Sequence, residues 1–354
     1  MNLSPLTVAV IVPVYNGGEK FRESLDSIRR AVPPPDELIV VGDGDTDGSS
    51  QCAEAAGSSV YRFPTPGGPG RARNLGASKA KSDILFFVDA DVTIPENVIR
   101  LVKEIFTQDS DISAIMGSYD DQPTEPNFLS QYRNLLHHYV HQHGREEAST
   151  FWGACGAIRR EVFLDMGGFD EGYLTPSIED IELGYRLKQA GYTIRLCKSL
   201  QVKHWKRWTL VSMIRTDFFQ RALPWTQLIY RHRGFTNDLN IGLSGRASVA
   251  LTGGLLGACA LSLWQPMLLA AAVAMGLALF MLNIRLYRFF MDKRGVKFAA
   301  QAVPWHWLYF FYSGLAFVVG SVCYLVGRDR GPAGPPSRLL STSAESTARL
   351  EKQR

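Results

Sequence analysis

A chain of 354 residues with 20% charged residues and a formal net charge of +4 has the balance of neither a nucleic-acid binder nor a disordered polyelectrolyte. Its hydrophobic content of 46% is unevenly spread. Residues 1 to about 245 have the composition of a soluble α/β domain, whereas residues 247–327 are far more apolar. The five cysteines (Cys52, Cys155, Cys197, Cys259, Cys323) lie far apart with no CxxC spacing, which argues against a disulfide framework or zinc site and for a reducing compartment. Met1 to Thr7 carry no basic residue, and the apolar run Val8 to Val12 is too short for a signal peptide, so the first domain is expected in the cytoplasm.

In chain order, the near-continuous apolar run from Val8 predicts a strand covered on both faces, stopped by Pro13 and followed by a loop at Asn16-Gly17-Gly18. Phe21, Leu25 and Ile28 then mark one face of a helix that Pro33-Pro34-Pro35 closes. Glu37 to Val41 is the next strand, ending in the acidic loop Gly42 to Gly48. Strand, helix, strand is a βαβ unit, and such sheets bind ligands at the carboxyl ends of their strands, where Asp43 stands. Asp43-x-Asp45-x-Asp47-Gly48 resembles the start of an EF-hand loop, but no helix flanks precede it.

A helix over Ser50 to Ala56 and a strand over Val60 to Phe63 lead to a Gly/Pro-rich loop, Pro64 to Gly70, and then Arg71-Ala-Arg73-Asn74. Loop amides opening a helix between arginines suit an anionic ligand such as a diphosphate. Ile84 to Val88 is a short apolar strand that runs into Asp89-Ala90-Asp91. Strand alternation would put both carboxylates on one side, where they repel unless a cation lies between them. A hard divalent ion such as Mg2+ or Mn2+ is the natural partner. Pro95 opens a helix to about Phe106, and Ile112 to Met116 is a further strand. Residues 118–150 are polar and rich in histidine, with His137 and His141 able to share a helical face.

Thr150 to Ile158 sets one large aromatic, Trp152, among small residues, as in a strand lining a sugar pocket. Glu179-Asp180 precedes a helix with Leu183 and Leu187 inward. A carboxylate pair at that place can simply cap the helix, or serve as a general base held ionised and aimed outward. Thr193 to Cys197 is a strand, and Val202 to Trp205 brings His204 back toward the sheet.

Together, Pro13-Val14-Tyr15-Asn16, Asp43 within Val-Val-Gly-Asp-Gly, Asp89-Ala90-Asp91 and Glu179-Asp180 resemble, in that order, the motifs of family 2 glycosyltransferases over about residues 7–230. The resemblance implies a GT-A fold, a Rossmann-like α/β nucleotide-diphospho-sugar transferase domain, and inverting transfer to a hydroxyl. It also implies that Pro13, Tyr15, Asn16 and Asp43 hold the nucleotide. Arg71, Arg73, Asn74, Asp89, Ala90 and Trp152 complete the donor site, while Asp91, Asp89 and His204 bind Mn2+ or Mg2+. Asp180 corresponds to the catalytic base, with Glu179 its supporting neighbour. The chain departs from the pattern at Gly42, where the family usually has a first aspartate, and at Asp45, which replaces a commoner serine.

The expected organisation is a cytoplasmic catalytic domain at 1–230, a basic linker at 231–246, an all-α transmembrane region at 247–327 and a disordered tail at 328–354. Three spans are expected, at about 247–264, 266–284 and 303–327, each near the ~20 residues needed to cross a bilayer. Five basic residues between Arg285 and Lys297 place that loop inside, whereas Arg328, Arg330 and Arg338 conflict with an outside tail. Gln220-Arg221-Ala-Leu-Pro224-Trp225 faintly resembles the QxxRW motif of processive polysaccharide synthases, although its Arg and Trp are not adjacent. The expected partners are a nucleotide-diphospho sugar (UDP the commonest carrier), a lipid-linked or glycan acceptor and the cytoplasmic membrane, with no nucleic acid. A small processive synthase and an inactive membrane scaffold are the alternatives.

Overall fold

The computed structural model describes residues 5–232 and 242–327. In chain order its elements are β1 (Val8–Val14), α1 (Gly18–Arg29), β2 (Glu37–Asp43), α2 (Ser49–Ala55), β3 (Ser59–Phe63), α3 (Pro69–Lys79), β4 (Ile84–Val88) and β5 (Val92–Thr93). They continue with α4 (Val98–Gln108), β6 (Ile112–Tyr119), α5 (Phe128–His143), β7 (Glu147–Ala148), β8 (Cys155–Arg159), α6 (Arg160–Asp165), α7 (Glu179–Gln189) and β9 (Thr193–His204). After α8 (Leu210–Arg215) come a π-helix (Thr216–Ala222), α9 (Leu223–Arg231), α10 (Leu243–Leu261), α11 (Leu268–Leu282), α12 (Ile284–Arg294) and α13 (Val296–Leu325).

Two compact units result. The first takes the described residues through Thr124 together with Arg145–Lys206, and the second takes Glu125–Gly144 and the described residues from Arg207. The first unit is built on a mixed sheet in the order β3-β2-β1-β4-β8-β6-β9-β5, with β7 on β9. β3, β2, β1 and β4 run parallel, so their carboxyl ends share one edge. β8 inserts antiparallel between β4 and β6. Every residue of β1 and β4 is buried, as expected of strands covered by helices on both faces. The helical face predicted from Phe21, Leu25 and Ile28 is the buried face of α1.

Three local expectations are corrected. Pro13 does not stop β1, which continues to Val14. The ladder with β4 ends at Ile11, so Pro13 lies beyond it, and a residue with no N–H is tolerated there. Asp89-Ala90-Asp91 is not strand: β4 ends at Val88, and Val92 N–H donates to the Asp89 carbonyl at 3.1 Å to close a turn. The basic stretch Arg285–Lys297 is not a loop but mostly the helix α12, which buries Leu286, Tyr287 and Phe290.

In the second unit, Tyr132 and Leu135 of α5 pack with Phe290 of α12 and Ala302 of α13. Among the described residues, α13 is long and apolar enough to cross a membrane. α11 and α12 meet the same test together but are bent by 59° at their junction, so the apolar stretch predicted at 266–284 ends in a sharp turn. The segments 231–246 and 328–354 lie wholly or in large part outside the described residues.

Candidate active site

All the site residues expected from sequence fall in the first unit, and most gather at the carboxyl edge of the parallel strands. Arg73, on the second turn of α3, is the link among them. Its guanidinium is 4% exposed; Nη2 donates to Asp89 Oδ1 at 2.6 Å and Nη1 to Glu179 Oε1 at 2.9 Å. Glu179 is itself buried, and its other oxygen accepts from Ser177 N–H at 3.0 Å. Although burial alone would favour the neutral form, Asp89, Glu179 and Asp180 keep Arg73 firmly protonated. Glu179 is thus held by Arg73 and the Ser177 amide, and Arg73 supplies the cation for Asp89.

The two carboxylates of the Asp-Ala-Asp turn face different partners, because a turn does not obey strand alternation. Asp91 Oδ2 lies 3.5 Å from His204 Nε2. Short antiparallel pairing brings this about: Val92 of β5 is opposite His204 of β9, and Trp205 N–H donates to the Asp91 carbonyl at 2.9 Å. Burial pushes the Asp91 carboxyl up, but His204, with Lys206 and Lys20 farther off, outweighs it and holds Asp91 well below the usual carboxylate range. An oxygen and a nitrogen donor side by side suit a divalent ion. Among the described residues no three His, Cys, Asp or Glu side chains converge as a ready cage. Asp91 and His204 thus fit an ion that draws its other ligands from water and phosphate oxygens, whereas Asp89 is directed to Arg73.

Asp180 stands at the N-terminus of α7. Its Oδ2 accepts from Gly153 N–H at 3.0 Å and its Oδ1 from Ile181 N–H at 2.8 Å. Loss of water and then the adjacent Glu179 push its carboxyl up to about 6, against the pull of the Gly153 N–H and Arg73. That value suits a group that must accept a proton near neutral pH. The Gly153 contact also ties Asp180 to Trp152, which lies outside β8 in the preceding loop. Trp152 meets Tyr119 edge to face at 4.7 Å, and Tyr119 stacks on His204 at 4.2 Å. Sequence reasoning missed Tyr119; the signal was that the β6 run continues past Met116.

At the β2 end, Asp43 accepts from Gly67 N–H at 3.0 Å, Gly68 N–H at 2.8 Å and Arg71 Nη2 at 2.9 Å. The Arg71 guanidinium also covers the Phe63 ring at 3.8 Å. Gly68 needs its φ of +97°, and a side chain there would strike the Tyr173 carbonyl. Asp43 and Arg71 thus brace the glycine loop. Asn74 is buried and clamps Phe169 from both sides, accepting from its N–H at 2.8 Å and donating to its carbonyl at 2.9 Å. Asn16, in the left-handed region at φ 50°, accepts from Thr46 N–H at 2.8 Å, while the Tyr15 ring stands exposed just past Pro13. Ala90 packs against the core.

The acidic loop is not a calcium site in form. Asp45 binds Ser50, and Asp47 accepts from Gly18 N–H and from Ser49. The departure at Gly42 also acquires a reason: a Cβ at 42 would lie 2.2 Å from Asp45 Oδ1. Asp45 occupies the room that a side chain at position 42 would take. The His137 and His141 rings lie 3.9 Å apart and tilted by 30° on α5, but no third metal ligand joins them among the described residues.

Two family descriptions match the chain: Glycosyl transferase family 2 over residues 9–167, and N-terminal domain of galactosyltransferase over residues 133–220. The chain is 24% identical over 237 residues to the O-antigen chain rhamnosyltransferase RfbN of Salmonella typhimurium, covering 63% of this chain and 75% of that protein. It is 26% identical to WbaN of Salmonella anatum, also an O-antigen chain rhamnosyltransferase, over 62% of this chain and 73% of the relative. Glycosyltransferase GlyG of Streptococcus pneumoniae is 31% identical over 118 residues, 32% of this chain and 38% of that protein. Among solved structures, the mannosyltransferase PcManGT from Pyrobaculum calidifontis, in complex with GDP-Man and Mn2+, shares the fold. Its TM-score is 0.53 at 19% identity, with 93% of this chain and 91% of that one covered.

Proposed function

We propose that this chain, a glycosyltransferase of GT-A fold that matches Glycosyl transferase family 2 over residues 9–167, transfers a sugar, with inversion, from a nucleotide-diphospho sugar to a hydroxyl of a lipid-linked or glycan acceptor at the cytoplasmic membrane. The observation that carries the reading is the linked set Asp91–His204, Asp89–Arg73–Glu179 and Asp180 on one sheet edge. The rhamnosyltransferase relatives act in O-antigen chains, which supports a cell-envelope glycan as the acceptor class. A UDP-sugar is the first donor to test.

In this reading the acceptor oxygen forms the new bond to the anomeric carbon as Asp180 takes its proton. The bond from that carbon to the diphosphate oxygen breaks, and its electron pair leaves with the nucleoside diphosphate. A single displacement of this kind needs no nucleophile on the protein. Gly153 and Ile181 amides aim the Asp180 carboxylate, and Arg73 holds Asp89 and Glu179 in place beside it. Asp91 and His204 would hold Mn2+ or Mg2+, which neutralises charge on the departing diphosphate. Trp152 and Tyr119, in edge-to-face contact, would wall the sugar side. α13 and the α11–α12 pair would anchor the chain in the membrane as a multi-pass protein with its catalytic unit cytoplasmic.

The test is turnover of UDP-, GDP- and dTDP-sugars by the detergent-solubilised chain with Mn2+ or Mg2+, compared with Asp91→Ala and Asp180→Asn. Metal-dependent turnover of one donor, lost in both variants, supports the reading and identifies the sugar. Turnover that survives Asp180→Asn would remove Asp180 as base, and an absence of any donor binding would leave a membrane scaffold.

A further inference from the structure

The backbone of His204 and its imidazole are held by different means. The backbone is pinned by the pairing of β5 with β9 and by the Thr124 hydroxyl, which donates to the His204 carbonyl at 3.3 Å. The ring is buried, with Nε2 at 3.5 Å from Asp91 Oδ2. A histidine that ligates a metal usually bonds its second nitrogen to a carboxylate or a carbonyl, and that bond sets the plane of the ring. Among the described residues no protein group makes such a bond to His204. What bears on the ring is Tyr119, whose own ring lies 4.2 Å from the imidazole with only 5° between the planes.

The strands are shaped for this contact. β6 and β9 run parallel, with Tyr119 paired to Val202. His204 is two residues beyond Val202 and therefore on the same face, so phenol and imidazole meet on one side of the sheet. A bulge sets that register: β9 advances from Leu196 to Gln201 while β6 advances only from Met116 to Ser118. Gly117 admits the bulge, because a Cβ there would lie 2.3 Å from the Leu200 carbonyl oxygen. Past it, Lys203 pairs with Asp120 at 2.8 Å, and Asp120 N–H donates to the Val202 carbonyl at 2.8 Å. Trp152 then presses on Tyr119 edge to face at 4.7 Å.

A nitrogen lone pair lies in the plane of its ring, so an imidazole free to tilt offers a metal its donor only part of the time. A face-to-face stack opposes that tilt, because tilting breaks the contact across the whole ring. We propose that Tyr119 is a positioning residue of the ion site, its stacked ring keeping the His204 imidazole in the plane that turns Nε2 to Asp91. The proposal rests on the reading of Asp91 and His204 as the ion's ligands, and adds the group that orients one of them. This role is separate from walling the sugar side, since it acts before any sugar binds.

The full chain in detergent is titrated with Mn2+ alone, the free ion is followed by EPR, and the nitrogen coupling of the bound ion is read by pulsed EPR. The unaltered chain is expected to show a nitrogen coupling that His204→Ala abolishes, and an affinity that Asp91→Ala and His204→Ala both lower. Tyr119→Met, which fills the space without a flat ring, is expected to weaken Mn2+ by about threefold or more and to shrink the nitrogen coupling. Tyr119→Phe keeps the ring and is expected to match the unaltered chain in both. Unchanged affinity and coupling in folded Tyr119→Met, with His204→Ala defective, would overturn the proposal and leave the ion reading standing. Unchanged Mn2+ binding in both Asp91→Ala and His204→Ala would remove the ion reading and the proposal with it. A loss in Tyr119→Phe as large as in Tyr119→Met would assign the effect to the hydroxyl and overturn the stack. If Tyr119→Met does not fold, the unaltered chain decides: a narrow spread of nitrogen couplings supports a held ring, and a wide spread overturns it.

Discussion

Arg73 Nη1 lies 2.9 Å from Glu179 Oε1, across 106 residues of sequence, and both side chains are almost fully buried. The same guanidinium reaches Asp89, so one cation joins the turn after β4 to the start of α7. Removing one member of such a buried set strands the others, which costs more than the pair itself contributes.

Arg73→Ala is therefore expected to destabilise the chain by about 3–5 kcal/mol. Glu179→Gln on that background should recover part of the loss, because the stranded charge is gone. Thermal unfolding of the two single variants and the double variant checks this; simple additivity would show that the two residues are not coupled.

The acid limb of activity should follow Asp180. Its carboxyl is pushed up to about 6 by burial and by Glu179, and the reaction needs the deprotonated form. Sugar transfer is expected to rise as pH increases through about 6 and to be lost below it. Asp180→Asn should lower kcat by about 10²–10⁴. Glu179→Gln should move the limb to lower pH, since it removes a neighbouring negative charge. A limb that stays in place would assign the titration to another group.

Metal dependence should trace to Asp91 and His204 but not to Asp89 in the same way. His204→Ala is expected to raise the metal concentration for half-maximal activity by about 10–100-fold. Saturating metal should restore much of the rate. Asp89→Asn is expected to act chiefly through Arg73, lowering thermal stability with a smaller change in metal response. Equal metal responses in both variants would contradict the divergence seen in the turn.

Asn74 should behave as a brace. Asn74→Ala leaves the Phe169 N–H and carbonyl without their amide partner, costing about 1–3 kcal/mol. The donor KM of the folded variant should be little changed. A large rise in KM with unchanged unfolding temperature would return Asn74 to the donor site.

Gly42 and Asp45 should be coupled. Gly42→Asp puts a Cβ 2.2 Å from Asp45 Oδ1 and 2.3 Å from Ser50 Oγ, so it should destabilise. Asp45→Ser in the same chain should relieve the clash, with an interaction energy of about 0.5–3 kcal/mol in unfolding measurements. An absence of coupling would mean that the loop yields instead.

The sequence by itself determined the longer strands and the α1 helix face of the first unit, though not the two-residue strands β5 and β7, because apolar runs and 3.6-residue spacing are local signals that burial enforces. It also supplied the ordered acidic motifs, since each sits where a strand ends or a helix begins. Only tertiary structure decided how those groups pair. Asp89 and Asp91 part company because a turn, not a strand, carries them, and turn geometry depends on what closes it. Arg73 and Glu179 meet only once β4 and β8 are side by side. His204 reaches Asp91 only through the two-residue pairing of β5 with β9. Asp43 and Asn74 have the residue types of ligand contacts, and here they also hold the Gly67 and Gly68 amides and the Phe169 backbone, groups more than twenty residues away. Residue type and spacing fix which chemistry is available; long-range pairing fixes which side chain faces which.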